Sequence, residues 1–351
     1  MPRLDHSSPR AKIVRLEESA YRPPRWLSNR HSQLAWGALA RPGSRVAFRR
    51  ETLPTPDGDE IVLDHVVAAT GPEPRPRPRL IALHGLEGSS FSPSVQGVLR
   101  LARERGWNAT ALNFRSCARE PTRRGRAIEN RTARLYHSGE TTDLDFVVRV
   151  LGRREPRAPL LAVGSSIGGN VLLKWLGEQG SDSPLVAAAA LSTPYHLERC
   201  ARNLETPLGR LYSAASLRTL RPKALSTASR FPAAARAMDL ARIRASRTFF
   251  AFDDAATAPL HGFAGASDYY ARSSSLGYLG RIRTPTLGIS ARNDPFLPEA
   301  VLDEARKAAS PALRLWTPAS GSHLAFPEGP PWALASWAER EIVAWLGERL
   351  G

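Results

Sequence analysis

Residues 160–170, which read LLAVGSSIGGN, constrain the fold of this chain more than any other stretch. An apolar run of strand length leads into a turn rich in glycine and serine, and an apolar helical pattern begins at Val171. In a strand–turn–helix of this kind, a serine can be held in a strained backbone conformation that exposes its hydroxyl. The stretch therefore predicts a nucleophile turn between a buried strand and a helix.

Glycine spacing decides which of the two adjacent serines is the candidate nucleophile. The turn requires glycine two residues before and two residues after the serine, because larger side chains would collide with the strand and the helix. Gly164 and Gly168 meet this requirement for Ser166. Centring the pattern on Ser165 would require glycine where the chain has valine and isoleucine. Ser166 is therefore the predicted nucleophile, and Ser165 is a turn residue.

A serine hydroxyl becomes a strong nucleophile when a histidine takes its proton and a carboxylate orients that histidine. Asp294 lies just past the apolar strand pattern TPTLGIS, and His323 lies in the loop after the next strand pattern, LRLWTPA. The order serine, aspartate, histidine, each placed after a strand, is the order found with this kind of turn. We expect His323 to be the base and Asp294 to be the acid that orients it.

Backbone N–H groups must stabilise the negative oxygen that forms when the serine attacks. One donor is expected from Ile167, the residue after the nucleophile, and another from the loop after an earlier strand. The segment ALHGLEGSS supplies that loop, and Leu86 is the predicted second donor. His84, at the end of the same strand, is interpreted as a hydrogen-bonded structural histidine.

Strand patterns alternate with helical patterns from about residue 79 onward, and the strands are near-continuous apolar runs. This alternation predicts a mostly parallel sheet with helices on both faces. The pattern WALASWAEREIVAWLGERL predicts a last helix over 332–350. The interval 195–283 interrupts the alternation with helical pieces and an irregular part. An insertion of this length between two strands is commonly functional, for example as a lid over an active site.

These changes of pattern divide the chain into four parts. Residues 1–45 are rich in arginine and proline and are predicted to wrap the surface as an N-terminal extension. Residues 46–194 and 284–351 are predicted to form the two parts of an α/β core. Residues 195–283 are predicted to form a helical lid.

Composition excludes several classes of protein. The chain of 351 residues has two cysteines and no apolar run near the ~20 residues of a membrane helix, which predicts a cytoplasmic protein without disulfides. The net charge is +16, but only four of the 49 basic residues are lysine, and no nucleic-acid-binding motif is present. We therefore expect no nucleic-acid partner.

Fourteen basic and six acidic residues lie in 195–283, so weak contact with an anionic membrane surface stays open.

Several long segments resemble the YheT-like branch of the α/β-hydrolase superfamily, whose members are regarded as esterases. The segments are HGLEGSS, GWNATALNFRSC, EPTR, YHSGETTDL, VGSSIGGNVLLKWLGE, FDDAATAPLHGFAGASDYY, SSSLGYL, PTLGISARNDPF and GSHLAF. The resemblance runs from about residue 50 to the C-terminus. It implies an α/β-hydrolase fold with a helical lid, and it carries the catalytic serine, aspartate and histidine of the family onto Ser166, Asp294 and His323.

The chain departs from the family pattern at three loop positions. The family usually has glycine where this chain has Ser116, asparagine where it has Thr122, and glycine where it has Ser322. These departures affect loop geometry or substrate fit and leave the three catalytic positions intact. Four further polar residues match the family and are interpreted as braces of loops, with lining of the pocket as the alternative: Arg115, His137, Asp143 and His261.

Together these features predict a serine hydrolase that cleaves small-molecule or lipidic carboxylic esters through an acyl-enzyme intermediate. A phospholipid or other lipid acyl hydrolase and an acyltransferase would use the same three residues, and both stay open. A basic-surface binding protein on a hydrolase scaffold is the non-enzymatic alternative. The proposed chemistry needs no cofactor, and the spacing of Asp253, Asp254 and His261 matches no common metal site. No pattern predicts an oligomeric state.

Overall fold

The computed structural model describes residues 21–40, 46–68, 76–120 and 127–350. Within these residues, eight strands form one sheet and two short strands form a separate hairpin. The strands are β1 (Arg49–Pro54), β2 (Glu60–Val66), β3 (Arg79–Leu83), β4 (Asn108–Asn113), β5 (Leu160–Ser165), β6 (Leu185–Leu191), β7 (Thr286–Ile289), β8 (Leu313–Trp316), β9 (Pro327–Glu328) and β10 (Ala335–Ser336).

The sheet is mostly parallel, as the alternation of strand and helix patterns predicts. Its spatial order is β1-β2-β4-β3-β5-β6-β7-β8. β2 pairs antiparallel with both β1 and β4, and every other neighbouring pair in the sheet is parallel. Every residue of β5 is buried, and in β6 Val186 alone is exposed. Strands covered on both faces need apolar side chains on both sides, which explains their continuous apolar runs.

Helices cover both faces of the sheet, and alternate residues of β3 belong to the two apolar cores. The helices Pro93–Glu104 and Trp337–Gly347 cover one face of the sheet, where Leu99 and Ile342 are fully buried. Within the described ranges, every helix is too short or too polar to cross a lipid bilayer. The α-helices are α1 (Arg30–Ala35), α2 (Pro93–Glu104), α3 (Thr142–Arg154), α4 (Ile167–Gln179), α5 (Leu197–Asn203), α6 (Pro207–Arg230), α7 (Pro232–Ala237), α8 (Leu240–Ala245), α9 (Phe249–Phe252), α10 (Ala258–Leu260), α11 (Ala266–Ser273), α12 (Glu299–Ala308) and α13 (Trp337–Gly347).

Helices α5 to α11 lie between β6 and β7, in the interval that the sequence marks as an insertion. They form two apolar clusters of their own, one that includes Leu217 and one that includes Tyr269. The stretch PAAARAMDLARIR forms two helices, because the side chain of Asp239 accepts the N–H of Arg242 and starts α8. A π-helical turn, Asp253–Thr257, joins α9 to α10.

The last helix begins at Trp337, so the predicted start at residue 332 is wrong. The preceding residues form the hairpin in which β9 pairs with β10. Leu334, in that hairpin, is buried against Leu27 and Trp36 of the N-terminal segment. The local pattern predicts too long a helix because the apolar residues before Trp337 also have a helical spacing. The long-range apolar contact of Leu334 outweighs that local preference.

The described part of the predicted N-terminal extension, residues 21–40, packs against the C-terminal part of the core. The hydroxyl of Tyr21 donates to the carbonyl of Pro327 at 3.0 Å. The side-chain amide of Gln33 donates to Oγ of Ser320 at 3.2 Å. The other residues of the extension lie outside the described residues.

Candidate active site

The turn after β5 has the strained backbone that the sequence pattern predicts. Ser166 lies between the last residue of β5 and the first residue of α4, with φ 53° and ψ −122°. A positive φ is unfavourable for a residue with a β-carbon and persists only where the surrounding structure fixes it. Here the N–H of Ser166 donates to the carbonyl of Leu191, at the end of the neighbouring strand, at 2.8 Å.

The glycines of the turn are required by close backbone contacts. A β-carbon on Gly168 would lie 2.5 Å from the carbonyl oxygen of His84, at the end of β3. A β-carbon on Gly164 would overlap the backbone of Gly168. The start of α4 can therefore lie against the strand ends only because these side chains are absent. That close approach is what holds Ser166 at the edge of the sheet.

The structure brings Ser166, His323 and Asp294 into one hydrogen-bonded series. Nε2 of His323 lies 3.0 Å from Oγ of Ser166, and Nδ1 lies 2.8 Å from Oδ2 of Asp294. The other carboxylate oxygen accepts the N–H of Phe296 at 2.8 Å, and the carboxyl is buried. With Nδ1–H donating to the carboxylate, Nε2 is left to accept the proton of the serine hydroxyl.

Contacts that the sequence does not predict hold the histidine in place. The side-chain oxygen of Asn293 accepts the N–H of Ser322 at 2.9 Å, and Oγ of Ser192 accepts the N–H of Leu324 at 3.1 Å. These bonds fix the residues on either side of the histidine. The ring of Phe296 lies on the imidazole, with the ring centroids 4.4 Å apart.

Leu86 and Ile167 border the same cavity as Ser166. Ile167 is the first residue of α4, so its N–H is among the donors that a helix leaves without an intrahelical partner. Leu86 follows Gly85, and a β-carbon on Gly85 would lie 3.2 Å from the β-carbon of Ser166. The backbone before Leu86 therefore runs directly beside the serine. The role of the two N–H groups as oxyanion donors stays a prediction.

His84 shapes the loop that carries Leu86. Its Nε2 accepts the N–H of Phe114 at 3.0 Å, and its Nδ1 donates to the carbonyl of Gly85 at 2.7 Å. Burial lowers the pKa of His84 to about 4, so the ring is neutral at pH 7. The histidine thus ties this loop to the end of β4, in agreement with its structural interpretation.

A buried ion pair joins the same loop to helix α6. Nζ of Lys223 lies 2.6 Å from Oε1 of Glu87, which also accepts the hydroxyl of Tyr136 at 2.9 Å. The backbone of Glu87 has a positive φ of 54°, which is unfavourable for a residue with a β-carbon. Nothing in the local sequence distinguishes Lys223 from a surface lysine, so sequence reasoning missed it. The pair fixes α6 relative to the loop beside Leu86.

Asn170 of α4 is a second residue that sequence reasoning missed. Its side-chain amide donates to the carbonyls of Ser138 and Ser273, each at 2.8 Å, and its side-chain oxygen accepts the N–H of Ser275 at 2.8 Å. The residue is fully buried. It therefore fastens two loops, one of which lines the cavity, to the helix that follows the nucleophile.

The four polar residues that match the family form two pairs: Arg115 contacts Asp143, and His137 contacts His261. The guanidinium of Arg115 donates to both oxygens of Asp143, at 2.7 and 2.8 Å, and to Asp59 at 2.9 Å, so it braces loops. His137 lines the cavity, and its ring lies 4.7 Å from the ring of His261. Burial lowers the pKa of both histidines.

Ser166 and His323 open onto a cavity of about 590 Å³. This volume lies in the range of small-molecule binding sites. The core supplies one wall, and the helices between β6 and β7 supply another. The side chains from this insertion are mainly apolar or aromatic and include Leu204, Leu220, Phe249, Phe252, Tyr269 and Tyr270.

Comparison with known proteins agrees with this fold. A family described as "alpha/beta hydrolase fold" matches residues 78–330. The protein named "Putative esterase YheT" from Escherichia coli (strain K12) is 35% identical over 324 residues, which cover 92% of each chain. This chain belongs to the α/β-hydrolase family, in its YheT-like branch.

Two further comparisons extend the range of similar proteins. The protein named "Phospholipase ABHD3" from Mus musculus is 29% identical over 88% of this chain and 74% of its own. The solved structure of the Pyrococcus furiosus esterase Pf2001 covers 94% of this α/β-hydrolase and all of its own chain, with a TM-score of 0.53 and 16% identity. At that identity the solved structure shows a shared fold.

Two of the three departures from the YheT-like pattern fall where the backbone favours glycine. Ser116 has φ 61° and Ser322 has φ 55°, and glycine adopts such angles without a steric penalty. The hydroxyl of Ser322 is also buried and has no hydrogen-bond partner within the described residues. Thr122, the third departure, lies outside them.

We expect the substitution Ser322→Gly to raise the free energy of unfolding of this α/β-hydrolase by about 1–4 kcal/mol. Glycine removes a left-handed residue that carries a β-carbon (about 1–2 kcal/mol) and an unpaired buried hydroxyl (about 1–3 kcal/mol). The greater freedom of glycine in the unfolded chain offsets about 0.5–1 kcal/mol of this gain. Urea denaturation measures the difference.

Ser116→Gly is the matched control, because it relieves the positive φ alone and should give a smaller increase. A Ser322→Gly protein that is less stable than the wild type would contradict this explanation of the departures.

Proposed function

We propose that this α/β-hydrolase is a serine esterase that cleaves carboxylic esters through an acyl-enzyme intermediate. The observation that carries the proposal is the hydrogen-bonded series of Ser166, His323 and Asp294 at an apolar cavity. A nucleophile, a base and an orienting acid at these distances are what acyl transfer to serine requires. The names of the Escherichia coli and mouse relatives support an ester as the substrate.

In the first half of the reaction, Oγ of Ser166 attacks the ester carbonyl carbon while Nε2 of His323 takes the hydroxyl proton. Asp294 stabilises the imidazolium that results. The N–H groups of Leu86 and Ile167 donate to the carbonyl oxygen as it becomes negative. The C–O bond to the alcohol then breaks, and the imidazolium gives its proton to the leaving alcohol.

In the second half, water enters in place of the alcohol. His323 removes a proton from this water as its oxygen attacks the acyl carbon of the acyl-enzyme. Collapse of the second tetrahedral intermediate releases the carboxylic acid and returns the proton to Oγ of Ser166. Another alcohol in place of water would give acyl transfer by the same steps, so these residues suit both reactions.

The cavity favours an ester with an apolar acyl chain. Leu204 and Leu220 from the insertion, together with Leu86 and Ile167 from the core, line the cavity onto which the serine opens with apolar surface. Burial of each methylene of a chain against such surface contributes about 0.8 kcal/mol. The phospholipase among the relatives fits a lipidic substrate.

We also propose that residues 195–283 act as a lid. The observation behind this proposal is that helices α5 to α11 supply one wall of the cavity, so a substrate is enclosed only while they are packed on the core. The buried ion pair of Lys223 and Glu87 is one point where they are fastened to the core.

The identity of the nucleophile is tested with two adjacent serines. We expect Ser166→Ala to lower the turnover of p-nitrophenyl esters by at least ~10⁴-fold, because the covalent step is lost. It should also abolish labelling by a fluorophosphonate probe. Ser165→Ala, one residue away on β5, is the matched control and should keep both. Loss of labelling in Ser165→Ala but not in Ser166→Ala would overturn the assignment.

The contribution of the lid is tested by filling the cavity from α6. We expect Leu220→Trp to lower kcat/KM for long-chain esters by about tenfold, or about 1.4 kcal/mol, with a much smaller effect on acetate esters. Thr219→Trp adds the same side chain at an exposed position of that helix and should leave the profile unchanged. An unchanged chain-length profile in Leu220→Trp would contradict the proposed role of α6.

A further inference from the structure

We propose that the cavity contains a subsite for a cationic group of the ester substrate, formed by Asp253 and the aromatic side chains around it. The group would be an alkylammonium, carried on either the acyl or the alcohol side of the ester. This inference rests on the proposed esterase function, because the subsite belongs to the same cavity. It narrows the substrate class from apolar esters to apolar esters that carry a positive charge.

Asp253 lies at an unusual point of the backbone. It begins the π-helical turn between α9 and α10, and such turns often occur at functional sites. Its side chain lines the same cavity as Ser166 and His323 and stays partly accessible from it. The carboxylate accepts the hydroxyls of Thr257 and Tyr270, both at 2.6 Å. Two neutral donors therefore hold it in a fixed orientation.

No basic side chain within the described residues forms an ion pair with Asp253. Because burial is not offset by a cation, the pKa of Asp253 is raised to about 6, and the group is mainly a carboxylate at pH 7 and above. Three arginines of the insertion are each paired with another acid: Arg242 with Asp254 at 2.8 Å, Arg202 with Glu198 at 2.7 Å, and Arg272 with Asp268 at 3.3 Å.

The other acidic residue that lines the described cavity already has a partner, because Glu87 pairs with Lys223. Asp294, behind His323, is paired with that histidine. Asp253 is thus the one carboxylate along the described cavity wall whose charge the protein leaves uncompensated. A buried charge of this kind is costly unless a partner binds it, and the cavity gives a ligand direct access to it.

Aromatic side chains line the same cavity as this carboxylate, and one of them, Tyr270, contacts it directly. Phe249 and Phe252 from α9 and Tyr269 and Tyr270 from α11 all line the cavity, and the rings of the two tyrosines lie 5.0 Å apart. Aromatic faces attract alkylammonium groups through the ring quadrupole, in addition to the attraction of the carboxylate. A neutral hydroxyl could bind the carboxylate but would gain little from the rings. The combination therefore favours a cation.

The subsite is tied to the nucleophile by a short series of contacts. The hydroxyl oxygen of Tyr269 accepts the N–H of Ser138 at 2.9 Å, and the carbonyl of Ser138 accepts the side chain of Asn170 on α4. The same helix begins directly after Ser166. A substrate with its cation at Asp253 and its carbonyl at Ser166 would thus be held between two connected points.

The net charge of +16 does not oppose such a ligand near the cavity. Exposed charges are screened beyond about 8 Å at 0.15 M ionic strength, whereas Asp253 would act at contact distance. All measurements below are therefore made at one fixed ionic strength.

The test compares esters of the same shape that differ in charge. One pair is an acylcholine and the corresponding 3,3-dimethylbutyl ester. The other pair is an ester of trimethylammonioacetate and the corresponding 3,3-dimethylbutanoate. For each pair, the ratio of kcat/KM for the cationic ester to kcat/KM for the neutral ester is measured in wild type and variant. Differences in the intrinsic reactivity of the esters cancel when the ratios are compared.

We expect Asp253→Asn to lower this ratio by about tenfold in at least one pair, because asparagine keeps the shape of aspartate without its charge. Asp254→Asn is the matched control: it removes an adjacent carboxylate that pairs with Arg242 and does not line the described cavity. Its ratio should stay within about twofold of the wild type. Equal ratios in Asp253→Asn and wild type, for both pairs, would overturn the proposal.

A second measurement uses the wild-type protein alone and so does not depend on folding of the variant. Choline and 3,3-dimethylbutan-1-ol are compared as competitive inhibitors of the hydrolysis of a neutral ester. The proposal predicts that choline binds at least about fivefold more tightly. Equal or weaker binding of choline would count against the subsite on the alcohol side. The acyl side is tested in the same way, by comparing the trimethylammonioacetate zwitterion with the 3,3-dimethylbutanoate anion. Failure on both sides would overturn it.

Failure of this inference differs from failure of the esterase proposal. If the subsite is wrong, both esters of a pair are hydrolysed with the same ratio in wild type and Asp253→Asn, and Ser166→Ala abolishes both activities. If the esterase proposal is wrong, turnover is absent or survives in Ser166→Ala.

Discussion

The close contact between the start of α4 and the end of β3 is the constraint on which the rest of the site depends. Gly168 lies against the carbonyl of His84, and a β-carbon there would push the helix away from the strand. This contact forces Ser166 into its positive φ and lifts its hydroxyl toward His323. It also brings the loop that carries Leu86 beside the serine, so the proposed nucleophile and the predicted oxyanion donors depend on the same approach.

Local sequence predicts the sheet, the turn and the three residues that meet at 2.8 and 3.0 Å, because each belongs to a strand followed by a characteristic loop. The spacing of the glycines reports the geometry of the turn, so it can be interpreted from the sequence alone. The residues that hold the site in place cannot be predicted in this way. Asn170 and Lys223 act through partners 32 to 136 positions away in sequence, and such pairs leave no periodic signal. The start of α13 at Trp337 was missed for the same reason, since a long-range contact of Leu334 decides it.

The candidate site combines the loops of the core that carry Ser166 and His323 with a wall that comes from an insertion. The loop around the histidine contains three non-glycine residues with positive φ, Ser322, Leu324 and Phe326, and hydrogen bonds from the core hold it. Strain of this kind is kept where surrounding contacts over-determine the backbone. The opposite wall carries most of the aromatic side chains and the uncompensated carboxylate of Asp253. Catalysis would thus be set by the core and substrate choice by the insertion.

The central claim is that Ser166 carries the acyl group during turnover. Rapid mixing with an excess of a p-nitrophenyl ester, followed by an acid quench and peptide mass mapping, tests it directly. We predict an increase in mass equal to one acyl group on the peptide that contains the turn, located at Ser166 by fragmentation. An acyl group on Ser165 or on another residue, or steady turnover without any acylated protein, would contradict the claim.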